Sequence, residues 1–160
     1  MASKNDEFLK KLLATFRVEA DEHLQAMSSG LLDLEKMPAG EQQTELVEKI
    51  FREAHSLKGA ARAVNLTEIE SVCQSLESVF AALKGRHLAV SAPLFDLLHQ
   101  AIDVLGRLLA PDAGAYPPPI RQLMQRLDDA LEGPLPDPEM PAPARQAQEA
   151  SSAYSSTATA

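Results

Sequence analysis

The chain has 160 residues, 45% hydrophobic but only 4% aromatic and without Trp, so a core has to be built from Leu, Ile, Val, Met and Ala, which suits packed helices better than a sheet. Its formal net charge of -8 argues against a nucleic-acid partner, because phosphate backbones are met by clustered Lys and Arg. The single Cys, Cys73, excludes an internal disulfide and fits a reducing compartment.

Apolar spacing predicts five helices. The first runs from about Asn5 to Met37, with Leu9, Leu13, Phe16, Ala20, Leu24, Met27, Leu31 and Leu34 inward, and Pro38-Ala39-Gly40 stops it. The second runs from Glu41 to about Val64 and is expected to bury Val47, Ile50, Phe51, Ala54, Leu57 and Ala61. Asn65 follows, a residue that tolerates the left-handed conformation at a helix end. Thr67-Glu68-Ile69-Glu70 has the form of a capping box and starts a third helix, whose stripe is Ile69, Val72, Cys73, Leu76, Val79, Phe80 and Leu83, with Gly85 at its end. Ser91 offers an N-cap for a fourth helix carrying Leu94, Leu98, Ala101, Ile102, Leu105 and Leu108. After the breaker Pro111 to Pro119, a short fifth helix carries Ile120, Leu123, Met124, Leu127 and Leu131.

Short connections make successive helices antiparallel neighbours, so the expected fold is all-α: an antiparallel up-down four-helix bundle with an appended fifth helix. From Gly133 onward Pro134, Pro136, Pro138, Pro141 and Pro143 exclude a helix, and Ala, Ser, Thr and Gln dominate the rest. The predicted organisation is therefore a helical bundle over residues 1–132 and a disordered linker or tail over 133–160. With no apolar leader and no apolar run of about 18 residues, a cytoplasmic chain with no membrane contact is expected.

The second helix carries more than a core stripe. At 100° per residue, His55 lies roughly 120° from the stripe centre, on its wet border, with Glu48, Arg52, Lys58, Gly59 and Arg62 along the same strip. A mid-helix glycine costs about 1 kcal/mol relative to alanine. Gly59 therefore indicates either close approach of a partner or bulky group beside His55, or a packing contact between helices. A neutral imidazole is a competent nucleophile near neutral pH, provided that an acceptor on one ring nitrogen leaves the lone pair on the other. Glu77, about 100° from the third helix's stripe centre, is one candidate acceptor; a solvated surface carboxylate is the alternative. Lys58 and Arg62 could offset the charge of a phosphoryl group on the imidazole.

The segment Phe51-Arg52-Glu53-Ala54-His55-Ser56-Leu57-Lys58-Gly59-Ala60-Ala61 resembles the phosphorylation-site motif of histidine-phosphotransfer domains. It is most like the N-terminal P1 domain of the chemotaxis kinases CheA and CheA-like hybrid kinases. Glu19-Ala20-Asp21-Glu22-His23-Leu24 and Gly30-Leu31-Leu32-Asp33-Leu34-Glu35 fit the first helix of that family, and the resemblance covers roughly Asn5 to Leu131. It implies a four-helix bundle with a fifth helix and His55 as phosphoacceptor, with Glu77 orienting the imidazole and Lys58 supplying phosphate electrostatics. Gly59, Arg62 and Arg52 are expected at the partner surface. The implied partners are an ATP-dependent histidine kinase catalytic domain, which phosphorylates the His, and a response regulator receiver domain, whose Asp takes the group. Departures from the family pattern are Ala60 in place of a second glycine, Arg62 and Ala63 in place of small or polar residues, Asn65 in place of a glycine, and Gln74 in place of a histidine. They bear on partner choice more than on chemistry.

His23, His87 and His99 lie on different segments without metal-ligand spacing, Cys73 reads as core, and no phosphate-cradling glycine motif is present. The fragment is thus expected to need no cofactor of its own, ATP being used by a kinase domain elsewhere, and to be a monomeric phosphate carrier rather than a catalyst. Two rival readings are a stand-alone phosphorelay shuttle, which the Pro-rich linker disfavours, and a helical docking scaffold, which has no use for His55, Lys58 and Gly59.

Overall fold

The computed structural model describes residues 3–110 and 119–132. Among these residues the fold is all-helical, with five helices and no strand: α1 (Lys4–Lys36), α2 (Glu41–Ala63), α3 (Thr67–Lys84), α4 (Ala92–Leu109) and α5 (Ile120–Glu132). No described helix is long and apolar enough to cross a membrane. The segment expected as a tail, 133–160, and most of the breaker before α5 lie outside the described residues.

Local chemistry explains the helix ends. Ser3 caps α1: its Oγ accepts from the Asp6 N–H, and the Asp6 carboxylate accepts from the Ser3 N–H, so two otherwise unpaired donors are satisfied. At the end of α2, Asn65 takes φ 60°. Its N–H donates to the Arg62 carbonyl at 3.2 Å and the Leu66 N–H donates to the Ala61 carbonyl at 2.9 Å, the paired bonds of a Schellman motif. The start of α3 differs from the expectation. Thr67 is already the first helical residue, and the N-cap is Leu66, which has no side-chain cap, so the capping box does not form. At the end of α3 the left-handed residue is Arg86 (φ 59°), one position beyond Gly85. A Cβ at Gly85 would lie 2.9 Å from Cδ2 of the exposed His87 side chain, which can give way. Ser91 caps α4 as expected, its Oγ accepting from the Leu94 N–H at 3.2 Å.

α1 packs on α2 and α4, while α3 packs on α2, α4 and α5, so one apolar core is shared by all five helices. The whole predicted stripe of α3 is buried. The expected core is corrected at several positions. Leu9 is 51% exposed and Leu13 only half-buried. At 33 residues α1 is longer than the 23-residue α2, and its first buried side chain is Phe16, so the early turns have no helix to lie against. On α5 the buried set is Leu123, Leu127 and Ala130, which leaves Leu131 exposed. Leu108 and Phe51 pack at the margin of the core and are half-buried. α1 and α2 approach closely at buried Gly30, where a Cβ would stand 2.7 Å from Ile50 Cγ1.

Candidate functional site

The buried residues of α2 are Val47, Ile50, Ala54, Leu57 and Ala61. With that face held inward, the adjacent flank of the helix faces α3. Cross-helix polar pairs then run Glu48–Lys84, His55–Glu77, Lys58–Gln74 and Arg62–Glu70.

His55 and Glu77 form the centre of this row. The imidazole Nδ1 is hydrogen-bonded to Glu77 Oε1. The His55 side chain is 65% exposed, whereas that of Glu77 is 7% exposed. Glu77 and Ser75 are the two buried polar residues among those described, so the solvated-surface alternative for Glu77 does not hold. A buried carboxylate needs partners. The second oxygen of Glu77, Oε2, accepts from Lys58 Nζ at 2.6 Å, and Lys58 also donates to Gln74 Oε1 at 3.0 Å. With a carboxylate as acceptor, Nδ1 carries the ring proton and Nε2 keeps its lone pair. Nε2 is thus the ring nitrogen left free of a protein partner's proton demand, with a lone pair available for attack.

The remaining expected site residues lie around this centre in different ways. Gly59 is exposed, and a Cβ there would meet nothing within 4 Å. A packing contact between helices therefore does not account for the glycine, and open space beside His55 remains. Arg52 is exposed and donates to Glu48 Oε1 at 3.1 Å, and Lys84 Nζ reaches the same oxygen at 3.1 Å. Hydrogen bonds from Lys84 and Arg52, and their charges, hold the Glu48 carboxyl below its ordinary range. Arg62 is exposed and stands 4.0 Å from Glu70 Oε1. Seven residues separate it from His55, about 10 Å along the helix, so it belongs to the rim and not to the His55 cluster.

Two contacts escaped the sequence reading. Gln74, which in the sequence marks only a departure from the family pattern, holds the Lys58 ammonium. The Phe51 ring lies parallel to the imidazole, with centroids 6.3 Å apart and planes within 10°. An i, i+4 spacing of two flat rings is the signal that could have identified it.

Two of the other histidines tie helices together. His23 Nδ1 pairs with Glu53 at 2.6 Å and His99 Nε2 with Glu35 at 2.9 Å, tying α1 to α2 and to α4. Among the described residues no group of three or more His, Cys, Asp or Glu could hold a metal. Cys73 is buried, and burial, reinforced by the Glu77 charge and opposed by Lys58, pushes its thiol up to about 12. It is not a nucleophile.

Residues 11–108 match the Hpt domain family. That match spans more than half of the chain. The chain belongs to the Hpt domain family. This Hpt domain is 37% identical over 87 residues to the chemotaxis protein CheA of Listeria monocytogenes, covering 54% of the chain and 14% of that protein. It is 33% identical over 122 residues to the chemotaxis protein CheA of Bacillus subtilis, covering 75% of the chain and 18% of that protein. The chain thus spans under a fifth of the length of these relatives. Its fold is similar to the phosphorylated P1 domain of CheA3 from R. sphaeroides, solved in complex with CheY6. The TM-score is 0.62 at 20% identity, covering 76% of this chain and 96% of that one.

Proposed function

We propose that this Hpt domain carries a phosphoryl group on Nε2 of His55, received from an ATP-bound histidine kinase domain and passed to an aspartate of a response regulator receiver domain. The observation that carries this reading is the His55–Glu77 bond: a buried carboxylate engages Nδ1 while the rest of the ring stands in solvent. In the forward step the Nε2 lone pair attacks the γ-phosphorus of ATP, the N–P bond forms and the bond to the ADP oxygen breaks. The Nδ1 proton stays on the ring, and the Glu77 carboxylate faces the positive imidazolium that results. In the second step a receiver carboxylate oxygen attacks the phosphorus, the N–P bond breaks and Nε2 recovers its lone pair. Lys58, one turn from His55 and bonded to the same Glu77, is a cation beside the incoming charge, and Gly59 leaves room for the partner. Arg52 and Arg62 flank the site as partner contacts. That a P1 domain of this fold has been solved phosphorylated and with CheY6 bound supports the same use of this one.

The finer architecture in this reading is an antiparallel up-down bundle of α1–α4 with α5 appended. Pairs that rise in number on α2 while they fall on α3 support it. Residues 1–132 are the carrier domain and 133–160 its Pro-rich linker. The domain is a monomeric cytoplasmic carrier with no cofactor of its own, no catalytic activity, no nucleic-acid partner and no membrane partner; ATP is used by the kinase domain.

The test uses phosphoramidate as a small donor, so that no macromolecular partner is needed. Intact mass spectrometry should find one acid-labile, base-stable phosphoryl group on the wild type and none on a folded His55→Gln variant. Adding a receiver domain should then discharge the labelled protein. Equal labelling of the two proteins would remove His55 from the proposal.

A further inference from the structure

Apolar spacing assigns Phe51 to the core of α2, but the ring does not behave like its neighbours. Ile50, Ala54 and Leu57 are exposed by no more than 1%, whereas Phe51 is half-buried with its ring alongside the imidazole of His55. We infer that Phe51 is a positioning residue whose ring sets the plane of the His55 imidazole and thereby the direction of the Nε2 lone pair. This inference rests on the phosphocarrier reading of His55.

The physical need is specific. The His55 side chain is 65% exposed, so packing alone does not hold it. The Glu77 bond fixes one ring atom, Nδ1, but leaves the ring free to tilt about that contact. The Nε2 lone pair lies in the ring plane, so a tilt swings it away from the line of attack on phosphorus, and small misalignments of this kind are costly in rate. A second contact is needed, and Phe51 supplies it one turn back on the same helix face. A centroid separation of 6.3 Å at 10° falls within the range of offset aromatic pairs. Because part of Phe51 packs against the core, its own position is held while it restrains the ring.

The experiment compares wild type, Phe51→Leu and Phe51→Tyr, with His55→Gln as the unlabelled control. Rates of phosphorylation by phosphoramidate are followed by intact mass, and folding is checked by thermal melting. Phe51→Leu should be labelled about two- to tenfold more slowly, the range an aromatic pair of this kind is worth in rate. Phe51→Tyr, which keeps the ring, should label at the wild-type rate. In the wild type, the ring protons of Phe51 and His55 should show cross-relaxation by NMR. A Phe51→Leu rate equal to wild type, a Phe51→Tyr rate as slow as Phe51→Leu, or absent cross-relaxation between the rings overturns the proposal. The last of these decides even if the Leu variant does not fold. Failure of the wild type to take label at all would instead strike the carrier reading itself.

Discussion

Replacing Glu77 by Gln keeps the side chain's shape and removes its charge, and its effect on the site can be worked through from two bonds. The carboxylate accepts twice, from His55 Nδ1 and from Lys58 Nζ at 2.6 Å. A glutamine has one acceptor and one donor at that end. With its oxygen toward His55, its NH2 meets the Lys58 ammonium, donor against donor. Turned the other way, it donates to Nδ1 and favours the tautomer whose proton sits on Nε2, which blocks the nucleophile. Breaking a fully buried ion pair costs about 3–5 kcal/mol, but neither partner here is fully buried. Lys58 is 23% exposed, His55 is 65% exposed, and Gln74 Oε1 still accepts from Lys58 at 3.0 Å. Solvent and Gln74 therefore take up much of the loss, leaving about 1–2 kcal/mol. A domain stable by about 5–15 kcal/mol survives that.

The rate should suffer more than the fold. Losing the group that orients a metal-bound imidazole costs about ten- to a hundredfold, and a loss of that order is expected here. We expect Glu77→Gln to unfold in urea at a slightly lower midpoint with an unchanged slope, and to take phosphoryl from phosphoramidate at least tenfold more slowly. Nitrogen-15 spectra of the imidazole should report a tautomer mixture where the wild type has the proton on Nδ1. A folded Glu77→Gln protein labelled within twofold of wild type, with the same tautomer, would refute the assignment of Glu77 as the orienting group.

Three further outcomes follow from the geometry. Gly30→Ala places a methyl 2.7 Å from Ile50 Cγ1 between α1 and α2, and overpacking of this kind should lower stability by about 1–3 kcal/mol in urea unfolding. Gly59→Ala, which meets no neighbour, should instead gain up to about 1 kcal/mol from helix propensity; phosphoramidate labelling should be unchanged while transfer to a receiver slows. The Cys73 thiol is raised to about 12 from 9.0, so above pH 9 the unfolded chain loses its proton first. The thiol's contribution is then complete below about pH 9 and declines toward 12, at up to about 1.4 kcal/mol per pH unit. Unfolding midpoints measured across that window should fall, and Cys73→Ala should flatten the slope.

Much of this arrangement could be read in the sequence because helical spacing reports faces. The stripe of α3 was legible in full, since every member packs between neighbouring helices. His55 and Glu77 were legible as border positions, because angles measured from a buried stripe locate what lies beside it. The depth of Glu77 was not legible. A wheel gives direction but not distance, and burial of a lone carboxylate depends on how near α2 lies. Leu9 misled because periodicity continues past the point where other helices end, so a stripe does not reveal its own overhang. Thr67 misled because a capping box specifies a pattern of residue types but not the backbone position that takes it up. Here the Schellman turn at Asn65 consumes Leu66 as the next N-cap. The second role of Gln74 was hidden because it depends on a Lys from another helix.

The site is a by-product of how α2 is registered in the core. Ile50, Ala54, Leu57 and Ala61 are exposed by no more than 1%, which leaves the helix no freedom to roll about its axis. A roll equivalent to one residue, about 100°, would carry His55 off the α3 flank and away from Glu77. On α3, Leu76 is fully buried next to Glu77, so the carboxylate is held at the margin where the core meets solvent. The two locked stripes bring an acceptor and an imidazole together without burying the imidazole, and Lys58, itself held by Gln74, satisfies what remains of the buried charge. On this argument, cavity-forming substitutions at Leu57 or Leu76 should disturb the His55 tautomer along with stability. Substitutions of similar stability cost in α5, such as Leu123→Ala, should leave that tautomer untouched.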